Sequence, residues 1–518
     1  MLGDTVPKRL FRCYLFFIFL GTILLFISPA LQHPGHMVTG YDVDDNPIVK
    51  PYHFYDALFI SCSALSDTGL TTAVISDTYT FFGQFVIACL MEAGGIGIMT
   101  IIYLLWHLFM PKKKVNLDQI IIFQAERGNE KLGNAYRSLT HSVLVVIIVQ
   151  ATFAILMSLW LNWIPAHQQQ FQNFDIHSLS YDIPGKMLDC YHNYPNALWQ
   201  GTFTSISSIN NGGFDIFSES NSLSAFRNDW GVIFQVMAMI EFIIGGIGFP
   251  LIFDLIEKVK YKRKGLKYQL SLFTKLGLWG FAIASVVGLI FAYSFEYSFT
   301  VNSYIGYPDI AHYVCTHKEF GEHEQFNKAW AIFFNTMATR SAGFSTVNQN
   351  VLSPGMQWTF IILMFIGGSP SSTAGGIRTT TLMIILGAIF AKVRGRKNVV
   401  MFKRTVPPDK VHDSFLVVVL STAIVVLVAI IIYYFSSNIE IEGEGNAMLQ
   451  MVYETTSAFG TVGFSMGITE DINVWGLLAI IVLMFIGYLG VSEAILSWTR
   501  KDPKGNEIQY PEEDVRIG

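Results

Sequence analysis

Eight apolar runs, each long enough to cross a bilayer, constrain everything else about this chain. They occupy residues 10–31, 81–110, 141–163, 231–256, 273–295, 357–391, 414–435 and 475–499. About 20 apolar residues carry a helix across ~30 Å of hydrocarbon. Composition agrees: only 14% of residues are charged, against about 25% in soluble domains. A water-soluble body of 518 residues is excluded. The first run follows Lys8, Arg9 and Arg12 as a secretory signal would, but it is too long and has no small-residue cleavage site, so it is read as a span.

Basic residues orient the spans. Of the 34 Lys and Arg, 27 lie in segments 1–12, 111–140, 257–275, 392–412 and 500–518. The opposite connections hold Lys50, Lys186, Arg227, Lys318 and Lys328, while Arg340 and Arg378 fall at membrane depth. The positive-inside rule then puts both termini in the cytoplasm of a multi-pass plasma-membrane protein. A net charge of −5 gives no reason to expect a nucleic-acid partner. The five cysteines show neither CxxC nor metal-ligand spacing. Cys190 and Cys315 fall in outer connections, where a disulfide and two free thiols both stay open.

The outer connections hide a repeat. Each contains a short apolar stretch, at 54–66, 196–209, 329–340 and 447–459, that is too short to span. Each stretch runs into a polar turn centred on Gly69, Gly213, Gly343 or Gly463. A second glycine patch follows in the next span, at Gly94-Gly95, Gly245-Gly246, Gly367-Gly368 and Gly487. The expected fold is therefore an all-α polytopic membrane protein with four membrane–pore-loop–membrane repeats around a central pore, comprising eight spanning helices and four re-entrant half-helices. Irregular backbone at membrane depth is tolerated where it lines a water-filled cavity. Close packing of helices through small residues is the plainer use of such glycines. The units are 1–140 with a cytoplasmic loop, 141–270, 271–412 with a broken second helix, and 413–500, followed by a cytoplasmic tail at 501–518.

The motifs Ser-Asp-Thr-Gly-Leu-Thr (66–71), Asn-Asn-Gly-Gly-Phe (210–214), Thr-Arg-Ser-Ala-Gly-Phe (339–344) and Ser-Ala-Phe-Gly-Thr-Val-Gly-Phe-Ser (457–465) occur in that order. With Gly-Gly-Ser-Pro-Ser-Ser-Thr-Ala-Gly-Gly-Ile-Arg at 367–378, the chain resembles the Trk/Ktr/HKT superfamily of cation transporters over roughly residues 10 to 500. The resemblance implies K⁺ as the transported ion, no cofactor in this chain, and a homodimeric pore subunit seated on a cytosolic nucleotide-binding ring. In the superfamily a serine at the first filter glycine goes with Na⁺ preference, so Gly69 favours K⁺; a Na⁺-permeable member is the alternative within the family.

Filter chemistry follows from K⁺ exchanging its hydration shell for backbone carbonyls. Thr68 and Gly69, Gly212 and Gly213, Ala342 and Gly343, and Val462 and Gly463 are the expected ligands. The half-helices would aim their partly negative C-terminal ends at the ion. Asp67, Asn211, Ser341 and Thr461 flank the filter. Asp67 could concentrate cations at the mouth or accept hydrogen bonds from nearby amides. A charge buried alone costs several kcal/mol, so Arg340 is expected to pair with Glu454 as scaffold.

Residues 357–391 would extend about 52 Å as one helix, too far for one untilted span. Their centre, Gly367, Gly368, Ser369, Pro370, Ser371, Ser372, Thr373, Ala374, Gly375 and Gly376, is expected to break the helix. The resemblance makes this stretch an intramembrane gate, with Arg378 at a usually basic position. Tyr488 stands where relatives commonly carry an arginine; it is expected to obstruct by volume or to bond hydroxyls of the 369–373 loop. No HExxH or GxSxG supports an enzyme. Glu92 and Glu241, carboxylates within spans, make an H⁺- or Na⁺-coupled secondary transporter the alternative. Neither GG-I-G stretch completes a dinucleotide fingerprint, so any nucleotide site resides on a partner.

Overall fold

The computed structural model describes residues 6–41, 47–97, 132–163, 193–217, 223, 226, 231–302, 324–370, 372–435 and 447–491. Ser371, Cys190, Cys315 and the tail at 501–518 lie outside the described residues, while Cys13, Cys62 and Cys89 are free thiols.

The described residues fold as helices with two small hairpins. Helix α1 (Val6–Phe26) leads through strands β1 (His36–Tyr41) and β2 (Pro47–Pro51) to α2 (Phe54–Leu65) and α3 (Phe81–Ile96). Then come α4 (Leu132–Trp163), α5 (Tyr194–Asn210), α6 (Gly231–Ile247) and α7 (Phe249–Arg263). Helices α8 (Leu272–Asn302), α9 (Glu324–Ala338), α10 (Pro354–Phe365) and α11 (Thr379–Val393) follow. A hairpin of β3 (Val400–Met401) and β4 (Arg404–Thr405) precedes α12 (Pro408–Phe435), α13 (Ala447–Gly460) and α14 (Val474–Leu489).

Local chemistry sets the helix ends. Ser353 caps α10 by accepting from the Met356 amide at 3.2 Å, with Pro354 at the first helical position. Asp56 closes a capping box on α2, its Oδ2 accepting from the His53 amide at 3.0 Å. Helices α3, α6 and α14 all stop at a glycine with φ near 90°, namely Gly97, Gly248 and Gly490. At Gly248 the chain bends by 97° before α7, which corrects the expectation of one continuous span over 231–256. A β-carbon disfavours that backbone conformation, so glycine marks the break. The apolar run gave no hint of it because α7 begins apolar before turning basic.

Polarity is arranged as a bilayer demands. Phe16, Phe19 and Ile23 of α1 and Val419, Leu427 and Ile430 of α12 face outward. The buried half-helices instead carry hydroxyls: Ser61 and Ser63 on α2, Thr204, Ser205, Ser207 and Ser208 on α5, Thr455, Thr456 and Ser457 on α13. This polarity is inverted relative to a soluble domain and fits a helical membrane protein. Val143–Trp163, Leu272–Glu296 and Pro408–Phe435 are each long and apolar enough to cross a membrane alone, and the bent pair α6–α7 is a fourth candidate. One apolar core joins α1, α2, α3 and α14 through Tyr14, Phe59, Met91 and Leu483. A second joins α4, α6, α9 and α10 through Trp160, Phe242, Phe334 and Phe360.

Candidate functional site

Four short helices converge on one ring of backbone. After α2, the Thr68 amide donates to Ser63 O at 2.8 Å and the Asp67 amide to Ala64 O at 3.3 Å. After α5, Gly212 donates to Ser207 O (2.7 Å) and Asn211 to Ser208 O (3.1 Å); after α13, Val462 donates to Ser457 O (2.9 Å) and Thr461 to Ala458 O (3.2 Å). These are Schellman caps, which need a left-handed residue just past the helix. Asp67, Asn211 and Thr461 supply it with φ of 50°, 59° and 46°, as does Ser341 at 69° after α9. The third turn closes differently: Ala342 donates to Ala338 O at 2.9 Å and Arg340 to Met337 O at 3.3 Å. Gly69, Gly213, Gly343 and Gly463 follow, all at positive φ, while residues 68, 212, 342 and 462 between them are not.

The turns touch in cyclic order. A β-carbon at Gly69 would lie 2.5 Å from Gly212 O, and one at Gly213 3.1 Å from Ala342 O. One at Gly343 would strike Val462 O, and one at Gly463 would strike Thr68 O. Each glycine therefore rests on the carbonyl that precedes the glycine of the next turn, and the fourth turn closes on the first. Only residues without a side chain permit this approach. The partly negative C-terminal ends of α2, α5, α9 and α13 meet at the same ring.

The second glycine patches have a packing role in three places. β-Carbons at Gly94, Gly245 and Gly487 would collide with Leu65 O, Ile209 O and Phe459 O, equivalent positions at the ends of α2, α5 and α13. At Gly367 the clash would be with Gly375 O, inside the segment joining α10 to α11. The described residues of that segment are not helical. It is docked beneath the ring by the Ser369 amide on Gly246 O (3.1 Å), the Gly375 amide on Thr461 Oγ1 (2.8 Å) and a 2.9 Å bond between Thr373 Oγ1 and the Asn211 amide group. Its far end is held by Arg378, which donates to Ala374 O and, at 3.4 Å, to Tyr488 O.

One expected contact is corrected. Arg340 and Glu454 do not pair. Arg340 Nη1 donates to Ile366 O at 2.6 Å, and its guanidinium lies 5.9 Å from the Phe281 ring centroid. Interruption of the helix at residue 366 frees the Ile366 carbonyl at the negative end of α10, and this one carbonyl takes the Nη1 group. Glu454 Oε1 accepts from Ser465 Oγ (2.5 Å) and the Met466 amide (2.9 Å), bracing the chain beyond the fourth turn. Tyr488, expected to obstruct by volume or to bond hydroxyls of the 369–373 loop, sends its hydroxyl to Gly94 O (2.8 Å) and to within 3.1 Å of the Tyr14 hydroxyl. Asp67 is fully buried with its carboxylate beside α3, where a β-carbon at Gly94 would lie 2.9 Å from Oδ2.

Contacts that sequence reasoning missed brace α5. Glu92 Oε2 accepts from Gln150 Nε2 and Asn210 Nδ2, both at 2.9 Å, and Glu241 Oε1 accepts from Ser205 Oγ at 2.6 Å. The only sequence signal was a carboxylate in an apolar run. Among the described residues no group of three or more His, Cys, Asp or Glu could hold a metal ion.

Residues 45–510 match the profile of TrkH, cation transport protein. This chain belongs to the TrkH family of cation transport proteins. That family consists of transporters, not enzymes. The chain is similar to an uncharacterized cation transporter of Mycoplasma pneumoniae, 36% identical over 100% of this chain and 96% of the relative. It is also 30% identical to Ktr system potassium uptake protein D of Bacillus subtilis, over 99% of this chain and 97% of that one. The potassium transporter TrkH from Vibrio parahaemolyticus shares the fold: TM-score 0.56, 15% identity, covering 87% of this chain and 79% of that chain.

Proposed function

We propose that this protein takes K⁺ into the cell through a selective, gated pore whose filter is the ring of four turns. The closed cycle of glycines on carbonyls carries the reading. It supports the carbonyls of Thr68, Gly212, Ala342 and Val462 as the groups that replace the hydration shell of K⁺. The likeness to a Ktr potassium uptake protein supports K⁺ as the ion. Four repeats, with eight spans and four half-helices, account for the recurrence of helix, short helix, left-handed turn and helix. Charge asymmetry supports cytoplasmic termini in the plasma membrane. Docked under the ring, the segment at 367–376 acts as the gate. The functional unit is a homodimer whose gate is controlled by a cytosolic nucleotide-binding subunit.

Glu92 and Glu241 serve this reading as braces of the second half-helix. The test is uptake of K⁺, Rb⁺ and Na⁺ by purified protein in liposomes, with and without nucleotide-binding partners. K⁺ and Rb⁺ flux that exceeds Na⁺ flux and rises when Ser369–Ala374 is shortened supports the gated pore. Flux that requires an H⁺ or Na⁺ gradient would favour coupled transport instead.

A further inference from the structure

Thr461 is the least expected residue in the ring. It is β-branched, yet it sits at φ 46°, where β-branched residues are outliers and the backbone is strained. Asparagine would take the same conformation more easily, as Asn211 does in the equivalent turn. What Thr461 supplies is an acceptor: its Oγ1 takes the Gly375 amide at 2.8 Å, in a site where threonine and amide are buried. The fit is close, because a β-carbon at Gly375 would lie 2.5 Å from both Oγ1 and Cγ2 of Thr461.

A second bond joins the same segment to another turn. The Asn211 amide satisfies its surroundings when its nitrogen donates to Phe242 O (3.0 Å) and Ser208 O (3.3 Å). Its oxygen then accepts from the Gly246 amide (3.2 Å) and the Thr373 hydroxyl (2.9 Å). Thr373 is a partner in either orientation of the amide. The turns of Asn211 and Thr461 are the second and fourth in the cycle, so they face each other across the axis. Both residues immediately precede a carbonyl of the ring.

We propose that Asn211 and Thr461 form a two-point latch that holds the 367–376 segment against the ring and couples its release to the backbone of the second and fourth turns. The proposal rests on the reading of that segment as the gate. In the latched state the segment plugs the axis. Leaving the ring breaks the Gly375–Thr461 and Thr373–Asn211 bonds together, so any movement of turns two and four that lengthens either bond favours opening. Both are positioning residues for the gate.

The test measures segment release directly. Ser372→Cys, a one-atom change at a buried site, is introduced after replacement of the five native cysteines. Its labelling by a hydrophilic maleimide is then followed in liposomes alongside Rb⁺ flux. Thr461→Val keeps shape and β-branching but removes the acceptor; Thr373→Val removes, from the gate side, the hydroxyl that bonds Asn211. Each should raise labelling rate and flux about fivefold, the shift expected for one ordinary hydrogen bond. Thr461→Ser, which keeps the hydroxyl, should restore both. The latch is overturned if labelling stays at the parent rate in both valine variants while shortening Ser369–Ala374 still raises flux. An altered K⁺/Na⁺ ratio in Thr461→Val without faster labelling overturns it too, assigning Thr461 to filter shape alone. If shortening leaves flux unchanged, the gate reading fails, and labelling still reports whether the two bonds hold the segment.

Discussion

Arg340 reaches from the end of the third half-helix to the carbonyl of Ile366, 2.6 Å away, and so ties the ring to the point where α10 stops. The cation sits at a helix C-terminus and over an aromatic face, two favourable places for a guanidinium. Arg340→Gln should therefore destabilise the purified protein by about 2 kcal/mol, the scale of a charged hydrogen bond. Thermal unfolding in detergent measures this; an unchanged midpoint would show that the contact contributes nothing.

Because Arg340 and Glu454 have separate partners, their losses should add. Arg340→Gln combined with Glu454→Ala is expected to equal the sum of the single changes within about 0.5 kcal/mol. A double variant clearly more stable than the sum would restore direct pairing.

Adjacent glycines of α6 give a sharper contrast. A β-carbon at Gly245 would strike Ile209 O, whereas one at Gly246 finds its nearest neighbour at an ordinary 3.5 Å. Gly245→Ala should cost more than about 2 kcal/mol, or fail to fold, through forced displacement of α5. Gly246→Ala should be near neutral, since alanine recovers up to about 1 kcal/mol of helix propensity. Equal effects on thermal stability would mean that the second glycine patch does not seat the half-helix.

Tyr488 joins three elements: its hydroxyl meets α3 at Gly94 O and α1 at Tyr14. Removing the hydroxyl in Tyr488→Phe should cost about 1 kcal/mol in thermal stability. A fully stable variant would show that these bonds do not hold the helices.

Much of this architecture was legible in the residues. Short apolar stretches at 54–66, 196–209, 329–340 and 447–459 coincide with α2, α5, α9 and α13, because length and flanking glycines are local signals. The interruption around 367–376 was legible too, since ten residues of Gly, Ser, Thr, Ala and Pro cannot sustain a helix in lipid. Partner choice was not. Arg340 takes a main-chain carbonyl, which has no side-chain signature, and Glu454 takes a nearby serine and amide. The bend at Gly248 was hidden because the apolar run continues through it. The left-handed Asp67, Asn211, Ser341 and Thr461 could have been suspected from Schellman geometry, but what their side chains hold depends on a segment distant in sequence.

The role of the ring is tested most directly at Gly69. A serine there must adopt φ 85° and place its β-carbon 2.5 Å from Gly212 O, so the first and second turns must move apart. Relative K⁺ and Na⁺ uptake by Gly69→Ser in liposomes, in protein of verified fold, is the decisive measurement. The account predicts that the K⁺ preference of the parent falls while Na⁺ flux rises. A folded variant with an unchanged K⁺/Na⁺ ratio would contradict it, because the ring would then not be where ions are selected.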